Sequence, residues 1–474
     1  MREVRIDPVS LNRLARLLDA ERAGRLNNNV ALARRILDGR VVWNVNATAS
    51  GGGVAEMLTT LLAYSRGAGV DARWLVLDGN PRFFRITKRL HNFLHGSPGD
   101  GGSLGEAERA EYESVLAGNL DNMLSLVRAG DIVLLHDPQA AGMADGLRAA
   151  GAHVVWRCHI GRDTPTELTD AGWDFLRPYV SRAEATVFSR EAYGPRWLDR
   201  RRSRIIPPSL DPFSTKNVML PPADVDATLR YAGLVDRPAE QGSLAFGRRD
   251  GSTGTVRAHG NLVVAGDVVP RDGRVVLQVS RWDRLKDMAG VLTAFATNLS
   301  RLPSDTHLCL AGPDVLGVSD DPEGAEVLFE CVDLWKALPI QARQRVHLMS
   351  LPMDDVDENA HLVNALQRHA TVVVQKSLVE GFGLTVTEPM WKNRPVVATA
   401  VGGIQDQIVD AESGLMLADP SDLGGFTDLI AGVLDDDDLA QRLGDAAGKR
   451  VRDQFLGDRH LIQYVELFSE LLPE

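Results

Sequence analysis

Cysteine is nearly missing from this chain: there are three in 474 residues, Cys158, Cys309 and Cys331. So few and so scattered, they exclude a disulfide framework and a zinc knuckle, and Cys158 and Cys309, set in apolar runs, read as buried thiols. No H-E-x-x-H and no paired C-x-x-C occurs, so a structural or catalytic zinc has no sequence support. Long apolar runs are absent too. Nothing reaches the ~18 consecutive apolar residues that a membrane-spanning helix needs. The stretch from Met1 to Asp19 mixes charges with leucines and lacks the apolar centre of a signal peptide, which makes a reducing cytoplasm the expected location. Positive charge is in deficit, 52 Lys and Arg against 64 Asp and Glu, for a formal net charge of -12. That balance argues against a general nucleic-acid binder, whose affinity rests on a surplus of cations. It leaves room for one small anionic ligand in a locally positive pocket.

What is present is length and rhythm. A chain of this size exceeds one ordinary core, so two or three domains are expected. Leu11, Leu14, Leu17 and Leu18 have helical spacing and predict one opening amphipathic helix. Apolar runs of strand length follow at 41–45, 73–77, 132–135, 153–156 and 185–188, and each is followed by a segment long enough for a helix. A second series occupies 275–279, 307–310, 346–348, 371–374, 395–398 and 414–416. Such alternation implies βαβ units and parallel sheets. Between the two series lie Pro207-Pro208, Pro212 and Pro221-Pro222, which forbid a continuous helix and suit a hinge near 207–212. The predicted class is therefore α/β, with two Rossmann-like domains facing a cleft: 1–208, then 209–455, with a C-terminal helix in 456–474 free to pack back on the first domain. The Gly- and Arg-rich stretch from Gly242 to Gly260 reads as a mobile surface excursion. Arg200 to Arg204 reads as a wet surface, and Asp435 to Asp438 as a solvated loop between two helices.

In open parallel sheets ligands gather beyond the carboxyl ends of strands, so the loops there carry the candidates. After the first strand, Gly51-Gly52-Gly53 lets backbone approach a ligand, and the helix that follows offers free N–H groups suited to phosphate, although plain tight turns use glycine in the same way. After Val279, Arg281 and Lys286 share one loop. Together they could hold a diphosphate, and equally they could be two solvated surface cations. Glu380-Gly381-Phe382-Gly383 is a turn ahead of a predicted helix, and Glu388 lies one to two turns inside it. Two carboxylates so placed can accept hydrogen bonds from hydroxyls at two ends of one sugar nucleotide, while an ordinary helix start also favours acid. His136 and Asp137 follow the 132–135 strand and face the same cleft. His347, His361, Trp43, Trp74 and Trp156 read as structural.

Arg281, Lys286 and the Glu380-to-Glu388 spacing resemble the signature of glycosyltransferase family 4, a retaining group with the GT-B fold. Trp43-Asn44-Val45-Asn46, Gly51 to Leu58, Lys88-Arg89-Leu90-His91-Asn92, Trp156-Arg157-Cys158-His159-Ile160, Pro207 to Pro212 and Asp321-Pro322-Glu323-Gly324 are similar to segments of the trehalose glycosyltransferring synthases. The resemblance implies transfer of glucose from a nucleoside-diphosphate-glucose to a sugar acceptor, with glucose giving trehalose, reversibly. UDP-glucose and ADP-glucose both stay open as donors. It places Glu380 at hydroxyls of the donor sugar, Glu388 at the ribose, and Arg281 and Lys286 on the diphosphate with backbone at Gly52 and Gly53. Gly381, Phe382, Gly383 and Leu384 line the donor sugar, and His159 stands near its reacting end. Asp137, Lys88, His91 and Asn92 are the acceptor candidates. The implied partners are a nucleotide sugar and a small sugar, with no nucleic acid and no membrane, and related folds commonly form homodimers. No cofactor is implied, because the nucleotide sugar is a substrate. Catalysis is expected to be metal-independent, since neither Asp224-Val225-Asp226 nor Asp355-Val356-Asp357 follows a strand.

Two departures from the resemblance concern the acceptor. Ile160-Gly161-Arg162-Asp163 stands where an acidic residue is expected directly after Ile160, and Gly242 to Gly260 lengthens the hinge region. A retaining trehalose phosphorylase, and a transferase of a modified sugar to a natural-product acceptor, are the alternatives.

Overall fold

The computed structural model describes residues 1–49, 53–236, 242–315 and 322–472. The chain divides into two compact units, 1–210 with 455–474, and 211–454. The first holds strands β1 (Arg2–Val4), β2 (Val42–Asn46), β3 (Ala72–Val76), β4 (Ile132–His136), β5 (His153–Cys158), β6 (Ala185–Phe188) and β7 (Ser203–Ile205). They form one sheet in the order β1-β3-β2-β4-β5-β6-β7. All pairs are parallel except the antiparallel edge pair β1–β3. Every residue of β2 and β4 is buried. Helices cover both faces of such a sheet, so its central strands are buried on both sides.

The order of the strands fixes where the sheet opens. From β2 the chain steps to one side to make β3, then crosses to the other side to make β4. The connections diverge at the carboxyl ends of β2 and β4 and leave a crevice between them. The helix Pro81–Leu94 starts where Asn80 accepts a hydrogen bond from the Phe83 N–H at 2.9 Å and proline fills the first turn. It buries Phe83, Ile86, Leu90 and Leu94 along one stripe. The helix Gly457–Leu471 belongs to this unit as well. Arg22 donates to its buried Asp458 through Nε and Nη2, and Tyr464, Leu467 and Phe468 share a core with Leu61, Ile132 and Val155.

The second unit repeats the plan. A small hairpin pairs β8 (Ala245–Gly247) with β9 (Thr253–Thr255). The main sheet contains β10 (Val263–Ala265), β11 (Arg274–Val279), β12 (Thr306–Pro313), β13 (Val346–Leu351), β14 (Val372–Gln375), β15 (Val396–Thr399) and β16 (Leu415–Leu417), in the order β10-β13-β12-β11-β14-β15-β16. Here the chain reverses direction across the sheet between β11 and β14.

Three of four expectations need correction. The opening leucines do not make one helix: a single turn, Asn12–Ala15, precedes a longer helix, Ala20–Ile36, which begins where Asp19 caps the Arg22 N–H. The acidic run is no loop, since the helix Asp437–Gln454 takes Asp437 and Asp438 into its first turn, where the helix dipole favours them. The run Arg200–Arg202 is exposed, as a wet surface should be, yet it leads directly into strand β7. The stretch from Gly242 to Gly260 is fastened to the unit. It forms the β8–β9 hairpin, whose buried Phe246 stacks on His361, and ion pairs join Arg248 to Asp355, Arg249 to Asp357 and Arg257 to Glu358.

Candidate active site

In the second unit the loops after β11 and β14 meet at the reversal point. Gln278, in β11 and fully buried, clamps them together. Its side-chain amide donates to the Lys286 carbonyl at 2.8 Å, and its oxygen accepts from the Lys376 N–H at 3.1 Å. A second tie joins the same loops, an ion pair between Lys376 and Asp287. Asp287 adopts a left-handed conformation (φ 51°) while capping the Gly290 N–H of the helix Met288–Thr297.

Across this frame the Lys286 ammonium donates to Glu380 Oε2 at 2.6 Å, with the two side chains 17% and 7% exposed. The Ser377 hydroxyl donates to the same oxygen at 3.2 Å. A nearly desolvated pair of this kind is strong only while both partners stay charged and aligned. Gly383 follows with φ 86°, and a Cβ there would stand 3.0 Å from the Glu380 side chain. Glycine therefore lets the chain turn into the helix Leu384–Trp391 without displacing the carboxylate. Gly403 packs so closely on this turn that a Cβ would lie 2.6 Å from the Phe382 backbone, and Gln407 donates to the Phe382 carbonyl. Phe382 is buried, and Gly381 and Leu384 are half-buried.

Arg281 shares the Lys286 loop but is half-exposed, and it pairs with Asp283 at 3.0 Å. Glu388, buried in the helix, accepts from the Gln367 amide at 3.1 Å and lies 3.3 Å from the Lys216 ammonium. Buried Lys392 supports this end by donating to Gln367 Oε1 at 2.7 Å and to Asn217 Oδ1 at 3.0 Å. Sequence reasoning did not find Lys216, Gln367 or Lys392. Lys216-Asn217 lies in an irregular stretch, and no spacing links it to Glu388.

The first unit places a second group of residues at its own reversal point. Asp137, directly after β4, is held at φ 62°. Its Oδ1 accepts from the His159 N–H at 2.7 Å, and its carbonyl accepts from the Trp156 indole at 3.0 Å. Burial of its surroundings raises its carboxyl to about 7, against the opposing pull of the His159 N–H and the Arg157 charge. His159 is half-buried, and desolvation, then Arg157, holds its ring well below the usual histidine range. His136 is buried behind it. Its ring lies nearly parallel to that of His159, with Nδ1 3.0 Å from His159 Nε2 and Nε2 3.0 Å from Asn44 Oδ1. His136, expected to face the cleft, is thus a buried internal bridge.

Of the other acceptor candidates, His91 packs edge-on against His95, whose Nδ1 sits 3.1 Å from the Gly161 carbonyl in the loop after β5. Asn92 is half-buried beside Gly99, and Lys88 is exposed on the same helix. Asp163, three residues past Ile160, pairs with Arg190 at 2.8 Å. Gly53 is exposed at the start of the helix Gly53–Gly67, while Gly52 lies outside the described residues. Of the two Asp-x-Asp pairs, Asp224 accepts from the Ser243 N–H, and Asp355 and Asp357 hold the hairpin.

Residues 44–195 match the family model for the trehalose synthase N-terminal domain, and residues 267–450 match that for glycosyl transferases group 1. The trehalose synthase of Pyrococcus horikoshii is 32% identical over 92% of this chain and 91% of its own length. That of Rubrobacter xylanophilus is 33% identical over 93% and 92%. A trehalose phosphorylase of Pleurotus pulmonarius is 24% identical over 91% of this chain and 57% of its own length. Among solved structures, sucrose-phosphate synthase from Thermosynechococcus elongatus superposes with a TM-score of 0.63 at 18% identity, covering 91% of this chain and 99% of that one. An α,α-trehalose-phosphate synthase (UDP-forming) from Burkholderia vietnamiensis gives 0.64 at 15% identity, covering 91% and 98%. At these identities the structures establish the fold, which is GT-B.

Proposed function

The chain belongs to the trehalose synthase family, and from that premise we propose that it draws glucose from a nucleoside-diphosphate-glucose and delivers it to free glucose. It is a hexosyltransferase, and glucosyl transfer to give trehalose is its reaction. The observation that carries the donor assignment is the 2.6 Å pairing of Lys286 with Glu380 at the reversal point of the second sheet.

Breaking the bond between the anomeric carbon and the phosphate oxygen leaves positive charge on the sugar ring and negative charge on the diphosphate. In this reading Lys286 and Arg281 meet the diphosphate, where fixed cations in a partly desolvated site lower the barrier most. Glu380 accepts hydrogen bonds from donor-sugar hydroxyls, and Gly381, Phe382, Gly383 and Leu384 shape the wall beside them. Glu388 accepts from the ribose hydroxyls. Asp137 receives an acceptor hydroxyl, His159 stands by the reacting carbon, and His91, Asn92 and Lys88 flank the acceptor. Retention follows if the acceptor attacks from the face the diphosphate leaves. The acceptor proton then passes to the departing phosphate oxygen, and no enzyme nucleophile is needed. The cation role falls to side chains, so the reaction requires no metal.

The phosphorylase reading, in which phosphate replaces the nucleotide, is favoured only by relatives at lower identity. Incubation with trehalose and either nucleoside diphosphate or inorganic phosphate separates the two: nucleotide-glucose is the expected product, and glucose 1-phosphate alone would overturn the proposal. Glu380→Ala and Lys286→Ala should each remove most turnover in correctly folded protein, and normal rates in either would refute the site.

A further inference from the structure

Arg157, in β5, is completely buried and forms no ion pair among the described residues. Its Nη2 donates to the Ser189 hydroxyl at 3.4 Å and its Nε to His159 Nδ1 at 3.5 Å. A guanidinium can only donate, so it fixes the direction of everything beyond it. His159 Nδ1 must accept, and its ring proton therefore sits on Nε2. That N–H faces His136 Nδ1 at 3.0 Å, which must also accept. The proton of His136 then lies on its own Nε2, 3.0 Å from Asn44 Oδ1, an acceptor. One polarity runs from Arg157 through both imidazoles to Asn44, and it is consistent at every joint. The chain threads β5, β4 and β2, the three strands around the crevice of the first sheet.

We infer that Arg157, His136 and Asn44 are positioning residues that lock His159 as a neutral Nε2–H imidazole, so that it serves glucosyl transfer as a fixed, uncharged group and never as a proton carrier. This rests on the reading that puts His159 beside the reacting carbon. Both ring nitrogens are occupied inside the protein. Protonating Nδ1 would turn it into a second donor against a buried cation, and protonating His136 Nδ1 would set two N–H groups head to head. The other charged or titratable groups around the chain do not favour an imidazolium. Arg157 and His460 both act against a charge on the His159 ring, Arg459 acts against one on His460, and burial of His460 holds its ring well below the usual range. Asp137 reaches the backbone N–H of His159, not its ring. What His159 can offer a substrate is its carbon edge and ring face.

The test reads the rings directly. In unmodified protein labelled with 15N-histidine, His159 and His136 are expected in the Nε2–H form, with shifts that do not move between pH 5 and 9 (the range over which a free histidine titrates). An Nδ1–H tautomer, or titration of either ring in that range, overturns the inference. In the kinetics, His136→Phe removes the acceptor and should lower kcat by about tenfold with little change in donor KM, a modest positioning loss. His136→Gln can accept from His159 and donate to Asn44 at once, and should recover most of it. Asn44→Asp should make His136 titrate and create a pH limb that the unmodified enzyme lacks. Equal kcat and pH profile for His136→Phe and the unmodified enzyme would overturn the inference. Unchanged turnover in His159→Ala, with the tautomers as expected, would instead sink the placement of His159 by the reacting carbon.

Discussion

Replacing Lys286 with Met keeps most of the side-chain volume and deletes the charge, which leaves Glu380, 7% exposed, without the ammonium while the Ser377 hydroxyl still donates to it. Removing one partner of a fully buried pair costs about 3–5 kcal/mol. Lys286 is partly exposed and the Ser377 bond persists, so about 2 kcal/mol is expected. For a unit of this size each kcal/mol moves Tm by about 2–4 °C, giving a fall of about 4–8 °C. Glu380→Gln strands the ammonium and should cost a similar amount. The double variant has no unpaired charge, so its Tm should lie above the sum of the two losses, with a coupling of at least about 1 kcal/mol. Turnover behaves differently. If both groups act on the donor, each single variant and the double lose about 10²- to 10³-fold, because restoring neutrality restores neither the cation nor the acceptor of sugar hydroxyls. Differential scanning fluorimetry and mass-spectrometric detection of trehalose measure the two quantities on the same samples. Additive Tm losses together with turnover within a few-fold of normal would show that the pair is neither coupled nor catalytic, and the donor assignment would fall.

Asp137 is charged only above about 7. Acceptor kcat/KM should therefore rise with pH through that value and level off, and Asp137→Asn should abolish the limb. Stability has the opposite sign, because the folded state binds the Asp137 proton more tightly than the unfolded chain, whose carboxyl titrates near 4. This contribution is present below about 4 and is lost as pH rises to about 7, which pH-dependent denaturation of Asp137→Asn beside the unmodified enzyme can isolate. At the hairpin, Phe246→Ala should cost about 3 kcal/mol and speed amide exchange across β8 and β9, since the ring is 5% exposed and stacked on His361. Burial pushes Glu358 up, but Arg257 and His259 outweigh it and hold the carboxyl below its ordinary range. The hairpin's attachment is accordingly present above ~4.5 and loosens as pH falls through the lowered value. Finally, excess EDTA should leave the transfer rate unchanged, and a rate lost to chelation and regained with a divalent ion would contradict side chains in the cation role.

The central strands were legible because a parallel sheet buried on both faces favours runs of apolar residues: the runs at 132–135 and 153–156 became β4 and β5 with ends shifted by two residues or fewer. The edge strands of the first sheet were not. β1 is Arg-Glu-Val and β7 is Ser-Arg-Ile, short and charged, and only their neighbours make them strands. The acidic run misled because four aspartates read as solvent, while in the folded chain two of them satisfy a helix N-terminus. For the site, loop positions after strands could be read from Lys286 and Glu380. Their direct pairing could not, because it depends on Gln278 and Lys376 clamping two loops that are remote in sequence. His136 misled for a similar reason: it ends strand β4 instead of starting the loop, and its side chain turns inward to Asn44, a partner 92 residues away.

The route of the chain has a consequence for how the protein is made. The first unit includes the helix Gly457–Leu471, whose Tyr464 and Phe468 complete its core, yet that helix is translated only after all of 211–454. On the ribosome the second unit can therefore finish folding while the first still shows an uncovered apolar flank. Nascent chains stalled before residue 457 should accordingly bind chaperones through their earliest-made half.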